Sequence, residues 1–415
     1  MNLLEKIYEA SERLHNVVVH TPLLKNTSLS QQYQANVLLK REDLQVVRSY
    51  KIRGAYNKIS QLTEEQKSVG VVCASAGNHA QGVAFACSEL GITGTIFMPS
   101  TTPKQKIAQV KSFGGKQIAI LLIGDTFDDA QVAAHSFCNE QAATFVHPFD
   151  DLEVIAGQGT VGLEILENAD NPIDYIFVPI GGGGLAAGIC TIVQELSPTT
   201  KIIGVEPMGA PSMWTSLQAK EIKTLDTIDR FIDGAAVKRV GDQNFEFCRN
   251  VLHDVILVPE GKVCSTILKL YNEEAMVVEP AGALTISALD LFDPNKLKDK
   301  NVVCVVSGSN NDILRTEEIK ERSLLFEGLK HYFMIEFPQR PGALKTFVSD
   351  VLGDSDDITY FQFSKKTNKE SGPAIVGIEL KDKSDFRQLE KQMNAGGFNF
   401  TYLNENPMLF AQLIG

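Results

Sequence analysis

Asp174-Tyr175-Ile176-Phe177-Val178-Pro179-Ile180-Gly181-Gly182-Gly183-Gly184-Leu185 decides the fold. Tyr175 to Ile180 are apolar at successive positions, the mark of a strand covered on both faces. From Leu185 to Glu195 the pattern is helical. Four glycines at a strand-to-helix turn let the backbone approach a ligand closely and aim several N–H groups at it. With the helix dipole behind them, those groups form a cradle suited to a phosphate. A tight packing turn requires less freedom than four successive glycines provide.

Outward from this turn the same alternation recurs. Further strands are expected at Asn36–Lys40, Gly70–Ala74, Gly94–Met98, Lys116–Leu122, Thr144–Val146, Lys201–Val205, Asp254–Val258 and Asn301–Val306, with helical stretches between them. Strand–helix alternation with doubly buried strands implies an α/β body of parallel sheets covered by helices. The pattern changes near Ser323–Leu329. Strand His331–Phe337, helix Pro341–Val351, strands Ile358–Lys365 and Ala374–Leu380, helix Asp385–Gly396 and strand Phe398–Leu403 follow, the β-α-β-β-α-β order of a ferredoxin-like module.

The bulk properties narrow the function. A chain of 415 residues is long enough for two or three domains. A net charge of −12 without long runs of one sign disfavours nucleic acid and anionic membranes as partners, and leaves room for small anionic ligands. No apolar run reaches the ~20 residues of a membrane helix. Seven scattered cysteines show no metal-type spacing. Their odd number, with no basic-then-apolar leader at the start, points to a reducing cytosol.

Three other stretches carry chemistry. Arg48-Ser49-Tyr50-Lys51-Ile52-Arg53-Gly54-Ala55 supplies an amine. Ser75-Ala76-Gly77-Asn78-His79 sits at a second strand-to-helix turn, whose free N–H groups suit a substrate carboxylate. Asn78 adds an amide able to reach both a cofactor oxygen and a substrate, whereas His79 reads equally well as a packing residue. Ser307, in Ser307-Gly308-Ser309-Asn310, ends a strand, where ligands of open α/β sheets bind. Read locally, Gly181, Gly183 and Ala186 with Glu206 at the end of the next strand also fit a dinucleotide fingerprint and its ribose-binding acid. An NAD-dependent oxidoreductase is therefore the alternative. Against it, some 170 residues precede the fingerprint, and the other loops have no task in hydride transfer.

Together, S-Y-K-x-R-G-A, S-A-G-N-H-A-Q-G, G-G-G-G-L and S-G-x-N closely resemble the threonine dehydratases (threonine ammonia-lyases), fold-type-II (tryptophan synthase β-like) enzymes that use pyridoxal 5′-phosphate. The resemblance covers residues 5 to about 322. It implies a two-lobed catalytic domain over 1–325, with a smaller lobe of about 50–150 inserted between 1–49 and 151–325. It also implies that Lys51 holds the cofactor as a Schiff base and takes the Cα proton. Asn78 would contact the pyridine 3′-oxygen, Gly181, Gly182, Gly183, Gly184 and Leu185 the phosphate, and Ser307 the ring nitrogen. The cofactor phosphate would act as acid toward the departing hydroxyl.

Two departures separate the chain from the serine racemases of this group. Ala76 stands where they carry a serine that reprotonates the opposite face of Cα, so racemisation is not expected. Ser212 replaces an acid of their divalent-metal site, so no metal is required, although Glu206 could help hold a monovalent cation. The segment 326–415, with Pro338-Gln339-Arg340-Pro341-Gly342-Ala343-Leu344, resembles a single ACT-like regulatory domain. That implies inhibition by isoleucine, with valine as antagonist, in a cytoplasmic homotetramer that begins isoleucine biosynthesis. L-threonine would give 2-oxobutanoate and ammonia, with L-serine a poorer substrate, since one methyl contact is worth only ~1–3 kcal/mol. A catalytically silent amino-acid sensor on the same fold would have no use for Lys51.

Overall fold

The computed structural model describes residues 2–363 and 370–414. The chain divides into two compact units, Met1–Leu314 and Arg315–Gly415.

The first unit holds two sheets. The larger has the spatial order Leu23–Lys25, Asn36–Arg41, Asn301–Val306, Tyr175–Pro179, Lys201–Pro207, Leu252–Val258. All neighbours are parallel except the first pair. The smaller sheet is wholly parallel, in the order Ile118–Leu122, Gly94–Met98, Val71–Ala74, Thr144–Phe145. Asn301–Val306 and Gly94–Met98 have the expected limits. The strand expected from Lys116 starts at Ile118, because Gly115–Gln117 close a 3₁₀ turn after the preceding helix. Leu23–Lys25 was not expected: three residues after a proline carry too little pattern to stand out.

Helices Lys51–Ser60, Leu152–Asn168 and Gly184–Leu196 set the lysine and the glycine turn relative to one another. They touch backbone to backbone. A Cβ on Gly157 would lie 2.6 Å from Arg53 O, and one on Gly188 would lie 2.6 Å from Gly159 Cα. Side chains at these crossings would drive the helices apart, so the glycines fix the spacing.

Beneath Lys51 lies a buried ionic cluster. The Arg53 guanidinium donates to both oxygens of Glu42 (2.8 Å each), to both oxygens of Glu164 (2.6 and 2.9 Å) and to Thr160 Oγ1 (3.0 Å). Lys40 Nζ donates to Glu164 Oε2 (2.5 Å) and Thr21 O (2.7 Å). Two cations thus balance two carboxylates, the condition under which buried charge is tolerated.

In the second unit, helix Thr316–Glu327 ends at Gly328, whose φ of 71° suits a left-handed cap. Four antiparallel strands follow, in the order Asp357–Phe363, Ser371–Glu379, Lys330–Pro338, Phe400–Tyr402, with helices Ala343–Asp350 and Phe386–Ala395 between them. This is the expected ferredoxin-like order. Residues 364 and 365 of the strand expected at Ile358–Lys365 lie outside the described residues. Phe333, Ile335, Phe337, Phe347, Leu389 and Met393 form this unit's own core.

Candidate active site

Lys51, the loop Ser75–His79, the turn Gly181–Leu185 and Ser307 all line one cavity of about 560 Å³ in the first unit. The loops follow the carboxyl ends of strands Val71–Ala74, Tyr175–Pro179 and Asn301–Val306, where parallel sheets place their ligands. Their spacing is held by the backbone. Tyr50 N donates to Ser307 O (3.2 Å) and Ser309 N to Arg48 O (2.9 Å), which seats the Ser307–Asn310 segment beside the approach to Lys51.

Lys51 opens helix Lys51–Ser60, and its Nζ donates to Pro148 O at 2.7 Å. Burial pulls the amine down from 10.5 to about 8, against the opposing influence of Glu279. At that value about a tenth of the amine is neutral, and so nucleophilic, at pH 7.

Gly183 caps the N-terminus of helix Gly184–Leu196 with φ 94°, a conformation that suits glycine. The first N–H groups of this helix have no intrahelical acceptor and point out of its end. Glycine is required at this turn because it packs closely against Phe149. A Cβ on Gly182 would meet the Phe149 ring at 2.2 Å, and one on Gly184 would meet Phe149 O at 2.8 Å. At the second turn, Gly77 caps helix Asn78–Leu90, and an added Cβ there would meet nothing within 4 Å.

The Asn78 amide is fixed at both ends. Its Nδ2 donates to Glu279 Oε1 (2.7 Å), and its Oδ1 accepts from Asn310 Nδ2 (2.7 Å). One Nδ2 hydrogen remains for a ligand oxygen. Glu279 escaped the sequence reading. Its signal was an acid between the apolar run Met276-Val277-Val278 and Pro280, at the start of helix Pro280–Ser287. Burial, reinforced by Asp233, raises its carboxyl to about 7, while the Asn78 donor works the other way. Gly308 permits this packing, since a Cβ there would lie 2.4 Å from Glu279 Oε1.

Burial disfavours the charged form of the two histidines that line the cavity, His79 and His147. His79 Nε2 faces Val146 O at 2.9 Å and so carries the proton. Burial, together with the Lys51 charge, pulls this ring down to about 3. His147 Nδ1 accepts from Asp150 N at 2.7 Å, which places the proton of that ring on Nε2. Ser307 is 2% exposed, with its remaining surface at the cavity. Glu206 is occupied elsewhere. It accepts Met213 N (2.7 Å) and Trp214 N (2.8 Å), and so caps helix Ser212–Ala219 rather than facing a ribose site. Among the described residues, no group of three or more His, Cys, Asp or Glu side chains is placed to hold a metal ion.

Residues 15–308 match the family described as pyridoxal-phosphate dependent enzymes, and residues 321–413 match the C-terminal regulatory domain of threonine dehydratase. The chain is 56% identical over 408 residues to the biosynthetic L-threonine dehydratase IlvA of Bacillus subtilis, covering 98% of this chain and 96% of the relative. The chain belongs to the pyridoxal-phosphate-dependent enzymes, among the threonine dehydratases. A second relative of the same description, from Halalkalibacterium halodurans, is 55% identical over 411 residues and 99% of each chain. Among solved structures, the processed form of threonine deaminase isoform 2 from Solanum lycopersicum aligns with a TM-score of 0.74 at 38% identity, over 78% of this chain and 88% of that one. Maize serine racemase aligns at 0.71 and 33% identity, over 77% and 97%. The glycine turn at the N-terminus of helix Gly184–Leu196 and the Lys51 amine, which line one cavity, fit a phosphorylated aldehyde. No helix among the described residues is long and apolar enough to cross a membrane.

Proposed function

We propose that this dehydratase converts L-threonine to 2-oxobutanoate and ammonia, with L-serine as a slower substrate. The observation that carries this reading is the convergence of Lys51, the Ser75–His79 turn, the Gly181–Leu185 turn and Ser307 on one cavity.

Lys51 would hold the cofactor through its aldehyde, and the N–H groups of Gly181–Leu185 would hold its phosphate. The Asn78 amide, aimed by Glu279 and Asn310, would donate to its 3′-oxygen, and Ser307 would be a neutral partner for the ring nitrogen. Pyridoxal phosphate, when bound, supplies an electron sink for the charge left at Cα when the proton departs. The N–H groups at the Ser75–His79 turn hold the substrate carboxylate. Lys51, as a free amine, would take the Cα proton as general base. The Cβ–O bond breaks, and the hydroxyl leaves as water with a proton that the cofactor phosphate would supply. The freed enamine becomes an imine, which water hydrolyses to the oxo acid and ammonia. Ala76 offers no proton to the opposite face of Cα, which favours elimination over racemisation.

The second unit is the regulatory part. We assign isoleucine to it as inhibitor and valine as antagonist, in a cytoplasmic homotetramer that starts isoleucine biosynthesis. Support for this comes from the description of the family matched by residues 321–413 and from the ferredoxin-like order.

The deciding measurement is the visible spectrum of the holoenzyme before and after L-threonine. A lysine-bound cofactor band that changes on addition, together with ammonia release, supports the reading. A Lys51→Ala protein that still turns over threonine refutes the role of the lysine. Removal of residues 315–415 is expected to leave turnover and abolish inhibition by isoleucine. Persisting inhibition would put the effector site in the first unit.

A further inference from the structure

We propose that Asn244, a residue outside every recognisable motif, aims the phosphate cradle. The inference rests on reading Gly181–Leu185 as the phosphate site, and adds the side chain that sets the direction of its donors.

Asn244 is fully buried on helix Asp242–Cys248. Its Nδ2 uses both hydrogens on backbone carbonyls, Gly182 O at 2.8 Å and Phe149 O at 3.1 Å. Gly182 O also accepts from Gly241 N at 3.0 Å. In a trans peptide the C=O of one residue and the N–H of the next point in opposite directions. Drawing the Gly182 carbonyl back toward Asn244 and Gly241 therefore turns the Gly183 N–H the other way, toward the cavity that both glycines line. The fit is close: a Cβ on Gly183 would lie 2.9 Å from Asn244 Cβ, and one on Gly241 would lie 2.6 Å from Asn244 Nδ2.

The rest of the amide bears this out. Asn244 Oδ1 is buried and has no hydrogen-bond partner among the described residues. A buried amide with an idle acceptor is there for its two donors, because an unmet polar atom carries a cost. A hydroxyl would offer one donor. The second donor ties the cradle to the segment whose Pro148 O holds Lys51 Nζ. Asp150 of that segment accepts Asp242 N (2.9 Å) and Gln243 N (3.1 Å), which fixes the helix carrying Asn244. One side chain thus links the phosphate end of the site to the lysine end. Asn244 is a positioning residue, since it touches the loop and not the ligand.

The test compares two cofactors that differ only in the phosphate. Apoprotein of the wild type, N244D and N244S is titrated with pyridoxal 5′-phosphate and with pyridoxal, following the visible band, with circular dichroism as the check on folding. N244D keeps the shape but sets an oxygen against two carbonyls, and N244S retains one donor. The expected result is at least a tenfold loss of affinity for pyridoxal 5′-phosphate in N244D, a smaller loss in N244S, and pyridoxal affinity unchanged within twofold in both. Parallel losses for both cofactors, or unchanged phosphate-dependent binding, overturn the role of Asn244 and leave the cradle standing. A wild type that binds pyridoxal 5′-phosphate no more tightly than pyridoxal removes the phosphate reading, and this inference with it. If N244D does not fold, the same comparison in N244S decides.

Discussion

Replacing Arg53 by methionine tests whether the buried cluster beneath Lys51 is held by charge balance. The wild type sets Arg53 and Lys40 against Glu42 and Glu164, all within the core. The substitution keeps most of the volume, removes five hydrogen bonds and leaves two carboxylates facing one ammonium. Breaking a buried pair in this way costs about 3–5 kcal/mol, a large share of the ~5–15 kcal/mol that keeps a protein folded. With ~2.1 cal/mol/K of unfolding entropy per residue over the first unit, that is a fall in Tm of roughly 5–8 °C. Differential scanning calorimetry of the holoenzyme reads it. The pH dependence separates charge from packing. In the wild type, burial pushes Glu42 up, but Arg53, Lys40 and Thr21 outweigh it and hold the carboxyl below its usual 4.5. Its stabilisation is therefore present above pH 4.5 and is lost only as pH falls through the lower folded value. Without Arg53, burial prevails and the folded value rises above 4.5, so stability is lost as pH rises through it. The gap between the two proteins should accordingly narrow from pH 8 to pH 5. Adding Glu164→Gln to Arg53→Met restores neutrality and should recover more than half of the loss. A gap independent of pH, together with a double variant as unstable as the single one, would refute the reasoning and leave lost packing as the cause.

Three further outcomes follow from the site. Capture of pyridoxal 5′-phosphate by apoprotein should be level above pH ~8–9 and fall about tenfold per pH unit below pH 8, because Lys51 must be neutral to react; a stopped-flow rate still climbing steeply between pH 8.5 and 10 would contradict the lowered amine. Glu279→Gln removes a group that favours protonated Lys51, so the midpoint of that profile should move to lower pH; an upward movement would show that Glu279 acts by another route. Gly182→Ala should weaken cofactor binding by two orders of magnitude or more, since its Cβ would lie 2.2 Å from a ring carbon of Phe149, whereas Gly77→Ala, with nothing within 4 Å, should leave the melting temperature unchanged.

The fold was legible wherever one segment carries its own pattern. Asn301–Val306 and Gly94–Met98 were readable because parallel strands buried on both faces carry near-continuous apolar runs, here Val302–Val306 and Ile96–Met98, and the β-α-β-β-α-β order of the second unit was readable because its period switches cleanly. Leu23–Lys25 was not, because an antiparallel edge pairing is a property of Leu38–Lys40 as much as of itself. The site divides along the same line. Lys51 and the glycine turns announce themselves because the roles proposed for them need a residue type at a local position. Glu279 and Asn244 act on groups far away in the chain, Glu279 on Asn78 and Asn244 on Gly182 and Phe149. Nothing in the sequence around them records those partners.

This division follows from how the two kinds of residue work. A group that binds a ligand must have one chemistry, and so leaves a signature in composition. A group that orients another needs only a donor or an acceptor at the right place. Either can be delivered from many points along the chain and by several residue types. For Asn78, both ends of the amide are held, by Glu279 and Asn310, before any ligand arrives, so little conformational freedom remains to be lost on binding. The same holds for the Gly182–Gly183 peptide, pinned by Asn244 and Gly241. The glycines give the loop its reach, and their flexibility alone would blur the direction of its N–H groups. The side chains behind the loop remove that freedom and turn a flexible turn into an oriented one.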